Sequence, residues 1–199
     1  MRRKDREVQN LDEIFDILNR CNTVRIAFQG DKYPYVVPVS FGTEQVDGKV
    51  IVYFHCARQG MKLELLKANP QVCVEGDIFI RTETTDHGIT TRYESVIGFG
   101  TCRIVEDEQE IKHGLKVLTE HYGYCDYSLD RCRALEYLYV MKIVLDEITG
   151  KRNLPEAGGK GCPDKVCLTC PMPKFMTASQ LRLNGNAARG KKWIRSSPG

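Results

Sequence analysis

The 199-residue chain has no run approaching the ~18 consecutive apolar residues that a membrane span needs, which argues against a helical membrane protein. Its basic start, "MRRKDREVQN", is followed by no apolar segment of the kind that makes a secretory signal, so the expected location is the cytoplasm. No excess of one charge is large: the formal net charge of +3 gives no basic stripe of the sort a nucleic-acid binder concentrates on one face. No internal repeat at a solenoid period is present, and no Gly-x-Gly-x-x-Gly follows a strand, so a nicotinamide donor would not sit on a Rossmann unit.

What is present suits a water-soluble globular chain: 42% hydrophobic and 28% charged residues. Of the nine cysteines, Cys21, Cys56, Cys73, Cys102, Cys125 and Cys132 are scattered singly through regular segments, as free buried thiols are. The first helix is marked by Asn10 as its cap, Glu13 at the capping-box position and an apolar face of Leu11, Ile14, Phe15, Ile17 and Leu18. Apolar, β-branched runs follow: "TVRIAF" (23–28), "YVVPVSF" (35–41), "KVIVYFH" (49–55), "VCVEG" (72–76), "YESVIGFGTCRIV" (93–105) and "YLYVMKIVLDEITGK" (137–151). Gly98 and Gly100 predict a bulge or bend in the fifth run, and Ile111, Leu115, Leu118 and Tyr122 predict a helix before it gives way to the sixth.

Six strands in mostly meander order with flanking helices predict a mainly β fold, a small six-stranded antiparallel barrel over residues 1–152. Residues 153–199 form a Gly-, Pro- and Lys/Arg-rich tail without a sustained apolar period, unable to bury a core of its own.

The stretch "YFHCARQGMKLELLKANP" (53–70) runs from strand into helix, and it carries the most chemistry. A helix opening near Gly60 directs backbone N–H groups at whatever lies beyond, and phosphate is a natural ligand there. Arg58 and Lys62 are placed to add explicit charge, Gly60 lets the backbone approach, and His55 can donate a hydrogen bond. The plainer reading is a solvated helix start with a polar strand end. Pro38 in "YVVPVSF" removes a ladder donor, so that strand either borders an opening or has a ligand for a neighbour. A flat heterocycle along Val37, Pro38, Val39, Ser40 and Phe41, resting on Val39 and Phe41, would suit such an opening.

With these segments assembled, the chain resembles the pyridoxamine 5'-phosphate oxidase-like FMN-binding split barrels, most closely the Nim-type group named for 5-nitroimidazole resistance. The matching residues are "MRRKDREV", "PYVVPVSF", the His-x-Ala-x-x-Gly-x-Lys core of "YFHCARQGMKLELLKANPQV" and "YESVIGFGT", together spanning residues 1 to about 150. The resemblance implies a homodimer with FMN in a cleft at the dimer interface. In it Lys62 matches the phosphate-binding lysine, His55, Ala57, Arg58 and Gly60 line the same end, and Val37–Phe41 runs along the flavin ring. Tyr93 and Glu94 would come from the partner subunit.

The arginine- and histidine-bearing C-terminal motif of true pyridoxamine phosphate oxidases is missing, so vitamin B6 oxidation is not expected. The implied activity is an oxidoreductase passing electrons from reduced FMN to a small electrophile such as a nitroaromatic, with NADH or NADPH as transient donor and His55 as candidate proton donor. A non-catalytic flavin- or haem-binding sensor or carrier is the alternative. In the tail, Cys162, Cys167 and Cys170 have the spacing Cys-x4-Cys-x2-Cys, which can wrap zinc or an iron–sulfur cluster if Cys125, Cys132, a second subunit or an external ligand completes the set. The alternative is incidental thiols.

Overall fold

In a computed structural model the structure describes residues 2–126, 128 and 137–155. Among the described residues, three helices and eight strands follow a 3-10 turn at Lys4–Arg6. They are β1 (Glu7–Val8), α1 (Leu11–Arg20), β2 (Val24–Phe28), β3 (Tyr35–Val39), β4 (Phe41–Val46), β5 (Lys49–Ala57), α2 (Met61–Ala68), β6 (Gln71–Thr85), β7 (Gly88–Ile104), α3 (Glu108–His121) and β8 (Leu138–Asn153).

All ladders are antiparallel, in the order β3-β2-β6-β7-β8-β5-β4, with β1 added beside β8. The two ends of that order, β3 and β4, are joined by Ser40 alone, so the sheet must curl until its edges approach. No ladder joins them, and the barrel is open along that seam. This corrects the expected six-strand count. The single run 35–41 is two strands, because the chain leaves β2 at Val39 and pairs with β5 from Phe41 onward. Pro38 is accommodated because β3 is an edge with a partner on one side only.

The long strands bend where their registers slip, between Phe79 and Arg81 on β6 and between Phe99 and Gly100 on β7. Gly100 is required there: a Cβ would overlap the Val144 carbonyl on β8. Inside the curl, Val24, Ile26, Phe28, Phe41, Val52, Phe54, Val74, Met141 and Ile143 form the core. Helix α1 packs Ile14, Ile17 and Leu18 against it, and begins as expected: Asn10 Oδ1 accepts from the backbone N–H groups of Asp12 and Glu13 at 2.8 and 3.2 Å. None of the described cysteines is in a disulfide, but Cys125 is exposed, against the expectation of burial. Among the described residues no helix is long and apolar enough to cross a membrane.

Helix α3 covers β4 and β5 from outside, with Leu115 on Ile51, Tyr53, Val105 and Val140. Its C-terminal end is tied down by two aromatic residues. His121 stacks at 4.3 Å from the Phe41 ring and donates through Nε2 to the Cys21 carbonyl at 2.9 Å. The Tyr122 hydroxyl accepts from the Phe41 N–H at 3.2 Å and donates to the Asn22 carbonyl at 2.9 Å.

Burial lowers the His121 pKa below its ordinary 6.5, only partly offset by its bond to Cys21. The unfolded chain therefore takes up a proton at a pH where the folded one still resists it. The stability from neutral His121 is fully present above about pH 6.5 and is lost as pH falls through the lowered folded value. Urea midpoints measured from about pH 8 down to about pH 5 should fall, and His121→Gln should flatten part of that slope. An unchanged slope in the variant would remove His121 as its source.

Candidate functional site

Strand β5 presents two apolar faces for most of its length. Val50, Val52, Phe54 and Cys56 enter the core, while Ile51 and Tyr53 lie under α3. His55 and Ala57 continue the second face past the cover of α3, and both are exposed. They stand opposite Val140 and Leu138 of β8. Although the His55 ring meets solvent, neighbouring atoms desolvate it enough to hold its pKa below 6.5. At neutral pH it is an uncharged imidazole, one nitrogen donating and the other accepting.

The chain then turns through Arg58 and Gly60 into α2. Gly60 is the N-cap residue, with φ of +128°, a conformation that side chains rarely adopt, and its carbonyl accepts from the Leu63 N–H at 3.0 Å. Arg58 Nε reaches the Leu138 carbonyl at 3.4 Å, and its guanidinium lies 5.3 Å from the Tyr139 ring centre. It also lines a cleft of about 380 Å³ with Leu63, Lys67, Cys102 and Tyr139. His55, Gly60 and Lys62 do not line that cleft.

Lys62, in the first turn of α2, is half-buried and has no ion pair among the described residues. The nearby acid Glu64 is engaged by Lys67 at 3.1 Å. Burial raises the Cys56 thiol pKa and the Lys62 charge pulls it down, which places the ammonium within range of the end of β5. A half-buried lysine with no ion pair among the described residues, at a helix start with open space beside Gly60, fits an anionic group from outside.

The expected ring-binding strand divides at the seam. Val37 and Val39 pack on the core and Pro38 and Ser40 are exposed, but the Phe41 ring is fully buried against His121. Phe41 therefore offers an outside ligand its backbone, not its ring. Because Phe41 pairs with Phe54, Ser40 lies at the level of His55. Strand register thus gathers Ser40, Phe41, His55 and Ala57 at one end of β4–β5, with Arg58, Gly60 and Lys62 following.

Tyr93 and Glu94 are elsewhere. Tyr93 pairs with Asn153, thirteen positions along β8 from the Val140 that faces His55, a contour of roughly 40 Å at ~3.3 Å per residue. Glu94 is buried, and its carboxylate is taken up by Arg20 Nη1 at 2.6 Å, which also fastens the end of α1. Cys162, Cys167 and Cys170 lie outside the described residues, and among the described ones no cluster of His, Cys, Asp and Glu could hold a metal. The sequence reading missed Tyr139 as the platform under Arg58; the alternation of "YLYVMK" signals its face, but not that β8 lies beside β5.

Residues 10–152 match the model of the pyridoxamine 5'-phosphate oxidase family. The chain belongs to that family. Among solved structures it is similar to a protein from Bacteroides thetaiotaomicron named as a candidate 5-nitroimidazole antibiotic resistance protein. The two are 26% identical with a TM-score of 0.65, over 73% of this chain and 86% of that one. An FAD and heme binding protein from Mycobacterium smegmatis is 17% identical, with a TM-score of 0.63 over 76% of each chain. An FAD-binding protein from Mesorhizobium loti is 22% identical, with a TM-score of 0.54 over 74% of this chain and 97% of that one. These last two share the fold. No curated protein matches the chain.

Proposed function

We propose that this member of the pyridoxamine 5'-phosphate oxidase family is an FMN-dependent oxidoreductase that reduces a small electrophilic acceptor. The observation that carries the reading is Lys62, a half-buried residue with no carboxylate partner among the described residues, beside the positive-φ helix start at Gly60. Lys62 and the α2 N–H groups hold the phosphate, and Arg58 adds charge at the rim. Ser40 and the Phe41 backbone border the ring, next to His55. When bound, FMN supplies the electron transfer.

Tyr93 and Glu94 lie too far along β8 to join Lys62 within one chain, which supports a homodimer in which the partner completes the cleft. His55, uncharged at rest, positions ligand atoms by hydrogen bonding and relays a proton to the reduced acceptor, taking one from solvent at one ring nitrogen as it releases one from the other. A nitroaromatic acceptor is supported by the name of the Bacteroides protein, and NADH or NADPH serves as a transient donor.

The test is the absorption spectrum of the purified protein, followed by anaerobic addition of NADH or NADPH and then of a nitroaromatic. A two-band yellow spectrum that bleaches and recovers supports the enzyme. A single intense Soret band would replace it with a haem carrier, a ligand named for the Mycobacterium smegmatis protein. A brown shoulder that fades with chelator would support an iron–sulfur cluster at Cys162, Cys167 and Cys170, and metal analysis reads zinc there. His55→Ala should lower turnover roughly 10²-fold, at the lower end for loss of a positioned proton donor, while leaving flavin affinity within a few-fold. Equal turnover would take His55 out of the proton path.

A further inference from the structure

The two edge strands that meet at the seam, β3 and β4, share no ladder among the described strands, and each has a neighbour on one side only. Along β2 and β3 the register pairs Val24 with Val39. Continued two steps further, it would set Asn22 opposite Phe41, but the chain turns away at Ser40 and Phe41 pairs with Phe54 instead. The rung that β2 and a longer β3 would have formed is missing, and its two backbone groups need another partner.

Tyr122 supplies it. The Phe41 N–H donates to the Tyr122 hydroxyl at 3.2 Å, and the same hydroxyl donates to the Asn22 carbonyl at 2.9 Å. Two bonds in series span more than the about 2.9 Å of a single one, so the phenol is inserted into the missing rung and keeps its two sides apart. Tyr122 is itself fixed at the end of α3. Its N–H donates to the Thr119 carbonyl at 3.2 Å, and Gly123, with φ of +84°, closes the helix through its N–H to Glu120 at 2.9 Å. His121 holds the neighbouring Cys21 carbonyl and stacks on the Phe41 ring, so the end of α3 grips both sides of the seam. Ser40 is left exposed on the crossover, and its side chain hydrogen-bonds to nothing among the described residues.

We infer that Tyr122 is a positioning residue for the proposed flavin site: its hydroxyl is a spacer that holds the seam at one width and sets where Ser40 and the Phe41 backbone stand toward the ring. The inference rests on the flavin reading, which places the ring there and the phosphate at Lys62. Without the hydroxyl, the Phe41 N–H and the Asn22 carbonyl are freed to bond water or, by closing the gap, each other. The seam then takes more than one width, and the apparent affinity for the ring falls with the fraction of molecules at the right one.

The experiment compares the full-length wild type with Tyr122→Phe, which keeps the aromatic ring and removes only the hydroxyl. In amide hydrogen exchange without ligand, read by NMR, the Phe41 N–H should be protected in the wild type and exchange roughly tenfold faster in the variant. In fluorescence titrations FMN should bind Tyr122→Phe roughly tenfold more weakly, and the visible circular dichroism of the bound ring should change. Lys62→Ala acts at the phosphate and should leave that spectrum unaltered; in its background Tyr122→Phe should cost the same factor again, as independent sites do. Gly48→Ala, strained at the β4–β5 turn by its φ of +74°, is the destabilised control and should bind FMN as the wild type does. An unprotected Phe41 amide in the wild type would overturn the spacer without any variant. So would wild-type affinity and spectrum in Tyr122→Phe, or an equal loss of affinity in Gly48→Ala. Failure of the wild type to bind FMN would sink the flavin reading and this inference with it, whereas the other three adverse results sink the spacer alone.

Discussion

Lys62→Ala should weaken FMN binding by roughly 10- to 100-fold, the factor expected when a hydrogen bond to a charged group, about 1.5–3 kcal/mol, is lost. The helix start cannot supply the difference. Its dipole contributes about 0.3–1 kcal/mol to an exposed anion and up to ~2 when partly buried, whereas a micromolar ligand needs about 8 kcal/mol. Arg58→Ala should cost less, because Arg58 is exposed and already engaged by the Leu138 carbonyl and the Tyr139 ring. Lys62→Arg should recover part of the affinity, since it keeps the charge and changes only its shape and reach. Quenching of flavin fluorescence on titration measures all three variants. A dissociation constant for Lys62→Ala equal to wild type would move the phosphate away from α2 and remove the main support for the cleft.

That lysine could be read from the sequence because everything that positions it is local. A strand run, a glycine and a helix-forming stretch lie within Lys49–Ala68, and each obeys its own short-range rule. The same is true of α1, whose cap at Asn10 and apolar stripe lie within one helix, and of α3, capped by Asp107 and ended by Gly123 with φ of +84°. Long-range pairing was not legible. "YVVPVSF" keeps an unbroken apolar character across Ser40, so nothing local says that β3 belongs to β2 and β4 to β5. The outer halves of β6 and β7, from Arg81 to Arg92, are rich in threonine and charge and lack the apolar alternation that marks a buried strand; their pairing with each other makes them strands. Arg20 and Glu94 meet across 74 positions. Nor did the motif containing Tyr93 and Glu94 show that they lie at the far end of β8 from His55, because that follows from register alone.

Gly42→Ala should destabilise the fold by about 2–3 kcal/mol, the cost of overpacking a close contact, and lower the melting temperature by roughly 5–10 °C for a chain of this size. A Cβ at Gly42 would stand 2.5 Å from the backbone of Val117 and Leu118, so no side-chain rotation can relieve the overlap and α3 must lift from β4. The helix has little room to do so. Gly114 brings the same helix down on the Tyr53 ring, where a Cβ would stand 2.6 Å from the nearest ring atom. Lifting α3 also strains the His121 bond to Cys21 and the Tyr122 bonds to Phe41 and Asn22, which fix the seam beside His55. Gly48→Ala is the control: it meets nothing within 4 Å and carries only the cost of its φ of +74°, about 1–2 kcal/mol. Differential scanning calorimetry of the two variants separates contact from conformation. A smaller loss at Gly42 than at Gly48 would mean that α3 moves outward freely, and that its height over β4 is not set by the missing side chain.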